Sequence, residues 1–562
     1  MVFLNTALNA LHAPAAWAAE SFVVLAKGGV PECSAEVKGE REARRTRSRA
    51  LGHTALESLS QPKRGSKINP FNRAGLALVA TLLSGCAALS PPADMDAPMP
   101  PQWYASLPAN PAGAGLPHSA SLGNLSAWWQ LQNDPLLVEL IDAAQRVSPT
   151  VITARANIAQ ARANRNISGG ALLPSLDGVG SVSRGSFGSA GASSSAAGAA
   201  GGSGSAIATT QQLGLQASWE IDVFGKNAAR RDAAQERLMA SQAQWHDARV
   251  VVAAEVAGQY YSLRSCEKQL AVTARDAQSR GETSRLTALA TQAGFGAPAV
   301  AALARASAAE GASRLRQQRA QCEMIVKALV ALSAIDEPLL AQKLERSRLA
   351  APDGQPQQPI AAVASVPAVA LGQRPDVYSA ARDVSATRFD AGSAAAARLP
   401  RLSLLGSIGA SRTRVSGFSQ NADTWSFGPL SLTIPLLDGG ASQGNLDIAN
   451  ARYAEAAGKY KAVVRLAVRE VEDALVNLQS TADRAVDTDI AADGYRASFA
   501  GTEARYKAGL ASLVELEESR RTLLAAQSAL INLQLERRNA WIALYRALGG
   551  GWQAQTSAEL AQ

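Results

Sequence analysis

Histidine, cysteine and aromatic residues are scarce in this chain of 562 residues, which has 4 His, 4 Cys and 5% aromatic residues. The four histidines are scattered, and the sequence contains no HExxH, CxxC, nucleophile-elbow or phosphate-binding-loop motif. Adjacent carboxylates such as Glu517 and Glu518 point about 100° apart on a helix, so they cannot converge on one substrate. The sequence therefore predicts no enzyme and no metal or cofactor site.

Long hydrophobic runs are also missing. No uncharged apolar stretch reaches the length of about 18 residues that a membrane-spanning helix needs. The formal net charge of +8 lies mostly in the segment before Cys86. Basic residues interleaved with aromatic residues, which would be typical of a nucleic-acid-binding surface, are absent. We therefore expect no nucleic-acid partner.

One short apolar run, in the stretch FNRAGLALVATLLSGC, ends in a cysteine. Basic residues precede it, and small residues follow it, as in a secretory signal. Leu83–Cys86 resembles the bacterial lipobox, which is cut before the cysteine. That resemblance implies a diacylglycerol on the sulfur of Cys86 and a fatty acyl group on its new amino group. Ala87, rather than Asp, implies sorting to the outer membrane. The alternative is a core segment with a chance cysteine.

The chain carries an internal repeat after a Pro/Ala-rich stretch. Residues 86–127 have no periodicity and are expected to form an extended tether between lipid and body. Pro149 and Pro375 begin similar segments, and Gly294 and Gly509 lie in similar segments further along, at a slightly smaller offset. A longer Gly/Ser/Ala loop in the first copy accounts for the change in offset. A constant register on both sides of one insertion indicates duplication.

Each repeat is expected to contain two strands followed by a long helical hairpin. Alternating apolar and polar residues predict strands at about 175–187 and 208–222 in the first copy, and about 400–414 and 424–437 in the second. The hairpins are expected at 226–334 and 440–548. The expected division is a signal-bearing extension at 1–85, the tether, repeats at 128–345 and 371–552, a linker at 346–370 and a tail at 553–562.

The predicted helices are unusually long. From Leu513 to Leu548 the chain has no Pro or Gly, and Leu516, Leu523, Leu530 and Leu544 recur at multiples of seven. This spacing indicates coiled-coil packing. About 35 helical residues would span about 50 Å, more than an ordinary domain needs.

Two cysteines are predicted to pair across the first hairpin. Cys266 precedes Gly294 by as many positions as Cys322 follows it. In an antiparallel hairpin that turns at Gly294, the two are level with each other, about 40 Å from the tip. An exported chain meets an oxidising compartment, which favours a disulfide. Two free buried thiols are the alternative.

Four amphipathic strands are too few to close a membrane barrel, so several chains would have to share one. The stretches WWQLQNDPLLVELIDAA, WEIDVFGK, QRPD, IPLLDGG and RYKAGLASLVELEESRRTLLAAQ resemble the outer-membrane efflux proteins of the TolC/OprM type, in particular the NodT-like lipoproteins. The resemblance implies a mainly α tandem-repeat fold with a β-barrel portion. It also implies a homotrimer with a twelve-stranded barrel and an α-helical tunnel, partnered by a periplasmic membrane-fusion adaptor and an inner-membrane pump of the resistance-nodulation-division class.

The resemblance also implies site residues. The hairpin tips that meet the adaptor correspond to Gly294, Phe295 and Gly296 in the first repeat, and to Tyr506, Gly509, Leu510 and Ser512 in the second. Candidates for the periplasmic gate are Glu518 and Arg521, together with Glu517 and Arg520, which depart from the usual pattern of the family. Glycines that only form turns and a solvated, salt-bridged helix face are the competing interpretations.

The expected function is that of a passive exit duct for small toxic compounds or drugs in a tripartite efflux system. The same fold could instead serve type I protein secretion. A periplasmic coiled-coil adaptor or scaffold is a further alternative, although such a protein would normally have one helical hairpin rather than two.

Overall fold

Two long helical hairpins, one four-stranded sheet and five shorter α-helices form most of the part of the chain that the computed structural model describes, namely residues 103–105, 128–131, 134–187, 206–350, 371–372, 374–415 and 417–552. Cys86 lies outside these residues. The helices in chain order are α1 Trp128–Leu131, α2 Pro135–Val147, α3 Pro149–Gly170, α4 Lys226–Gln292, α5 Pro298–Ser333, α6 Glu337–Ala350, α7 Pro375–Ala396, α8 Ala441–Lys507 and α9 Leu513–Ala547. The strands are β1 Ser175–Phe187, β2 Ala206–Ile221, β3 Arg401–Val415 and β4 Phe418–Thr433.

The duplication is visible in the order and length of the elements. Helices α3 and α7 each have 22 residues and each lead into a pair of strands. Helices α4 and α8, which follow the strands, have 67 residues each, and their returning partners α5 and α9 have 36 and 35. A helix of 67 residues is about 100 Å long. No helix in the described part of the chain is both long and apolar enough to cross a membrane.

The four strands form one antiparallel sheet in the order β1-β2-β3-β4. Paired residues lie on the same face of the sheet, and successive residues alternate between faces. One face, here called the apolar face, carries Leu213, Leu215, Ile408, Trp425, Phe427, Leu430 and Leu432, all of them exposed. The opposite face is rich in Ser, Thr and Gln. A sheet with one exposed apolar face and one polar face is typical of strands that lie between lipid and water.

The main core lies where the first three helices meet the long ones. Trp128 packs against Trp541 and Tyr545 of α9 at centroid distances of 5.9 and 5.6 Å. Helix α2 begins where the Asp134 side chain accepts a hydrogen bond from Leu137 N, and Tyr260 of α4 donates to the same carboxylate over 2.5 Å. Burial raises the pKa of Tyr260, which keeps this hydroxyl a donor. The short helices thus contact α4 near its middle and α9 near its C-terminal end.

Part of the expected tether is docked on the body. Trp103 is buried, and the backbone N–H groups of Tyr104 and Ala105 donate to the two carboxylate oxygens of Glu472 on α8 over 2.7 and 2.6 Å. Two charge-assisted hydrogen bonds and a buried indole hold this segment in place. The tether therefore has a fixed point at residues 103–105.

The structure differs from two of the sequence-based boundaries. Strand β4 runs from Phe418 to Thr433, not from about 424 to 437. It starts early because Gly417, with φ 91°, reverses the chain directly after β3, and it stops at Thr433 because Pro435 has no N–H to donate. Helix α6 also continues to Ala350, into the expected linker, since Arg348 pairs with Glu267 at 2.9 Å.

Candidate functional site: the hairpin tips and the adjoining ion cluster

Both hairpin tips are built from the same helix-ending turn. Gly294 and Gly509 have φ of 80° and 72°, and each comes directly after the residue that caps its helix. The next residues donate backwards across the turn, Phe295 N to Ala290 O and Leu510 N to Arg505 O, both over 2.8 Å. A left-handed glycine with this long reverse hydrogen bond is the Schellman ending of a helix.

The tip side chains fall into an exposed group and a packed group. Phe295 is 88% exposed and Leu510 is 70% exposed, whereas Gly296 and Tyr506 are half-buried. Tyr506 packs between the hairpins, with its hydroxyl 3.4 Å from Thr287 Oγ1. Ser512 begins α9 by accepting a hydrogen bond from Glu515 N. Phe295 and Leu510 are therefore the apolar side chains that these turns offer to a partner.

We expect Gly509→Ala to lower the free energy of unfolding by about 1–2 kcal/mol, because a Cβ disfavours the left-handed conformation. An added Cβ would meet no atom within 4 Å, so the cost is confined to the backbone. Gly494, in the interior of α8, is the matched control: its added Cβ is equally free, but its conformation is helical. Gly494→Ala should stabilise the chain by about 0.5–1 kcal/mol. Thermal unfolding measured on both variants should give shifts of opposite sign.

Just above the tips lies a buried group of four charged residues, here called the ion cluster: Asp276 and Arg280 on α4, and Glu517 and Arg520 on α9. Arg280 binds Asp276 with its Nε over 3.0 Å and Glu517 Oε2 with its Nη1 over 2.9 Å. Arg520 pairs with Glu517 and donates to Ser279 Oγ over 3.0 Å. Two cations and two anions balance, so the cluster is neutral.

The contribution of these contacts to stability depends on how deeply the charged groups are buried. The side chain of Arg520 is only 4% exposed. Burial lowers the pKa of Arg520, an effect that the neighbouring Glu517 opposes. Ser307 of α5 bridges Arg280 and Glu517 with hydrogen bonds of 2.7 Å to each. Gly311 of α5 leaves room for Arg280, because a Cβ there would lie 2.9 Å from Arg280 Cδ. The cluster thus joins α9 to both helices of the first hairpin.

The four gate candidates separate into two pairs with opposite environments. Glu517 and Arg520 belong to the buried cluster, whereas Glu518 and Arg521 form an exposed ion pair of 2.9 Å, with side chains 65% and 73% exposed. The sequence did not identify Asp276 and Arg280 as partners. The sequence signal that could have identified this ion pair is the spacing of four residues between Asp276 and Arg280 inside an Ala-rich hairpin.

The two cysteines of the first hairpin are bonded to each other. A disulfide joins Cys266 of α4 to Cys322 of α5, with their Cα atoms 5.6 Å apart. It lies in the main core, well away from the tips. Among the described residues, no group of three His, Cys, Asp or Glu side chains could hold a metal ion.

Comparison with known proteins agrees with this geometry. Residues 140–334 and 366–550, together more than half of the chain, match the family model of the outer membrane efflux protein. The solvent efflux pump outer membrane protein SrpC of Pseudomonas putida is 28% identical over 473 residues, covering 84% of this chain and 96% of SrpC. The outer membrane protein OprJ of Pseudomonas aeruginosa is 28% identical over 489 residues, covering 85% and 95%.

The fold matches a solved channel as well. The crystal structure of the CmeC outer membrane channel of Campylobacter jejuni aligns with a TM-score of 0.71 over 84% of this chain and 97% of CmeC, at 23% identity. The mainly helical tandem-repeat fold expected from the sequence is confirmed. With both repeats matched by the family model, the chain belongs to the outer membrane efflux protein family.

Proposed function

We propose that the chain is the outer-membrane duct of a tripartite efflux system, a passive exit for small toxic compounds or drugs. An inner-membrane pump of the resistance-nodulation-division class delivers them through a periplasmic adaptor. One observation carries this proposal: a sheet with an exposed apolar face is continued by hairpins of about 100 Å that end in exposed apolar turns. Such a molecule joins a membrane at one end to a protein partner at the other.

A homotrimer supplies the closed wall that one chain lacks. Strands β1 and β4 are the outer strands of an open sheet, so each has one edge left for another chain. Three copies give twelve strands, which is within the range of membrane barrels. The long helices would continue that wall as a tunnel on the periplasmic side.

The tips are the proposed contact with the adaptor. Phe295 and Leu510 are exposed apolar side chains on rigid turns, and Gly294, Gly296, Gly509 and Ser512 shape the turns that present them. Tyr506 supports the second tip from the side through its packing between the hairpins. A few side chains that fill pockets of the partner supply most of the binding energy of a protein interface, and rigid turns hold these two side chains in place for such contacts.

In the proposed gate, the two Arg–Glu pairs have different roles. The buried pair Glu517–Arg520 holds α9 against the first hairpin, and the exposed pair Glu518–Arg521 faces solvent. In a trimer, Glu518 would form a ring of three carboxylates, a device that favours cations. Release of the buried pair would let α9 move and widen the periplasmic end.

Lipidation of Cys86 is proposed as a sorting signal, and the docked tether supports it. The segment from Cys86 to Trp103 can span at most about 60 Å. The docking residue Glu472 lies about 47 Å along α8 from the helix end next to the sheet. The tether is therefore long enough for a lipid on Cys86 to reach the membrane surface at the base of the sheet.

We expect Cys86→Ala to lower the amount of protein in the outer membrane several-fold while leaving part of the efflux, because the strands remain to hold the chain in the membrane. Quantitative blotting of separated membranes and metabolic labelling with a radioactive fatty acid measure both effects. Cys33→Ala, which removes a cysteine from the expected signal-bearing extension, is the control and should change neither. Unchanged labelling in Cys86→Ala would refute the lipid assignment.

Deletion of the gene tests the function as a whole. Susceptibility should rise for several classes among dyes, detergents, antibiotics and aromatic acids, and a plasmid copy should restore resistance. A defect confined to the export of a protein, with no change in susceptibility, would contradict the efflux proposal.

A further inference from the structure

Three arginines stand at one rim of the apolar face. Arg184 of β1 and Arg414 of β3 both pair with Thr209 of β2, one on each side, and Arg412 precedes Arg414 by two positions on the same face. We call Arg184, Arg412 and Arg414 the rim arginines. Strand spacing puts the Cα atoms of Arg184 and Arg414 about 10 Å apart, with Arg412 about 7 Å along the strand. Long side chains at these positions can converge on one anionic group.

The rim has little negative charge of its own. All three rim arginines are exposed, and the ion pairs found among the described residues involve none of them. Asp423 of β4, paired with Ala410, is the acidic residue on the same face nearest to them in register. The sequence between β1 and β2, residues 188–205, has no Asp or Glu. Three guanidinium groups outnumber the one nearby carboxylate, and such an excess favours phosphate, which arginine binds in a bidentate manner.

A shallow depression lies directly next to the rim on the apolar face. Gly178, Gly180 and Ala410 have little or no side chain, so the surface is low between the larger neighbours. Two adjoining cavities of about 520 and 680 Å³ share Leu213, Ala410 and Asp423 in their walls. Arg412 borders the first cavity, and Leu215, Ile408 and Trp425 border the second. The lining thus has Arg412 at the rim and the apolar side chains of Leu215, Ile408 and Trp425 further along the strands, with the Asp423 carboxylate between them.

The position of the rim selects one leaflet of the membrane. The rim arginines lie at the end of the sheet where the strands turn, and the helices leave from the other end. In an outer-membrane protein whose helices extend into the periplasm, the turn end faces the cell exterior. The rim therefore lies at the headgroup level of the outer leaflet, with the depression at the level of the acyl chains.

We propose that the rim arginines and the adjoining depression bind one phosphorylated lipid of the outer leaflet. The phosphate lies on Arg184, Arg412 and Arg414, and an acyl chain lies in the depression between Leu213, Ile408 and Trp425. Charge complementarity at the rim and the apolar lining further along the strands identify this occupant. The inference rests on the outer-membrane location of the sheet and is independent of the transported compounds.

Trp425 provides the measurement, because it lines the depression and is quenched by a brominated acyl chain in contact with it. The full-length protein in detergent is titrated with phosphatidic acid and with phosphatidylcholine that carry identical brominated chains. Subtracting the signal of a Trp425→Phe variant isolates this tryptophan. We expect phosphatidic acid to reach half-quenching at a much lower mole fraction than phosphatidylcholine. Each arginine should lower that mole fraction about fivefold.

Two variants separate headgroup recognition from acyl-chain binding. In R184Q/R412Q/R414Q, both lipids should quench Trp425 equally. The control R401Q, at the helix end of β3 and on the opposite face, should keep the preference for phosphatidic acid. Gly178→Leu should weaken quenching by both lipids, since its added side chain enters the depression without meeting an atom within 4 Å at Cβ. Circular dichroism and heat-modifiable mobility check that each variant is folded.

The opposite outcomes overturn the proposal. Equal quenching of the wild-type protein by the two lipids, or an unchanged preference in the triple variant, removes the headgroup site. Loss of the preference in R401Q would mean a general attraction to anionic micelles. Abolition of the preference by inorganic phosphate at concentrations no higher than that of the lipid would assign the rim to a free anion instead of a lipid. Each of these results is independent of the drug susceptibility of the deletion strain.

Discussion

Arg520→Ala is expected to release the first turns of α9 from the first hairpin. The change leaves Glu517 and Asp276 to share Arg280, so the buried cluster carries one uncompensated negative charge. Removal of one member of a buried ion pair costs about 3–5 kcal/mol. Hydrogen exchange of the α9 amides near Leu516 should accelerate, and the conductance of the reconstituted channel should rise, because α9 borders the proposed periplasmic gate.

Arg521→Ala is the matched control, since it is the next residue and also pairs with the glutamate three positions before it. That pair is exposed, and an exposed pair contributes about 0–1 kcal/mol. The double variant Glu517→Leu/Arg520→Met removes one anion and one cation together and leaves Arg280 with Asp276. It should recover most of the lost stability. Equal effects of Arg520→Ala and Arg521→Ala on stability and on hydrogen exchange near Leu516 would show that the cluster does not hold α9.

Several elements follow directly from the sequence because their signals are local. Alternation in Leu213–Ile221 predicted β2 to within two positions, and the constant offset between the repeats indicated turns at Gly294 and Gly509, both of which have positive φ. The end of β4 was predicted wrongly for a physical reason. Side-chain alternation continues through Ile434 and Leu436, but the backbone at Pro435 cannot donate to a neighbouring strand.

The ion cluster could not be predicted in the same way. Asp276 and Glu517 belong to different repeats, and the spacing within each helix does not say which faces of two helices meet. The same holds for the docking of Trp103 near Glu472, which depends on two backbone N–H groups that any residue would supply. Contacts between distant helices are therefore the part of the candidate site that needed the structure.

Placing a charge on both tips, with Phe295→Asp and Leu510→Asp together, is expected to reduce efflux to the level of the deletion strain. Both side chains are exposed in the chain, so the double variant should keep its thermal stability and its amount in the outer membrane. An aspartate would have to lose its hydration to enter an apolar contact with the adaptor, and a buried unpaired charge is strongly unfavourable. Susceptibility to the substrates identified by gene deletion measures the loss.

Two further variants test whether loss of the adaptor contact is the reason for the reduced efflux. Phe295→Leu/Leu510→Val keeps both tips apolar and should retain most of the resistance. Leu339→Asp puts the same charge on an exposed leucine of α6, away from the tips, and should leave efflux unchanged. Site-specific cross-linking from residue 510 to the adaptor should disappear in the Asp double variant and persist in the Leu/Val variant. Full resistance with both tips charged would contradict the assignment, because a contact made by these turns cannot accommodate two buried carboxylates in each chain.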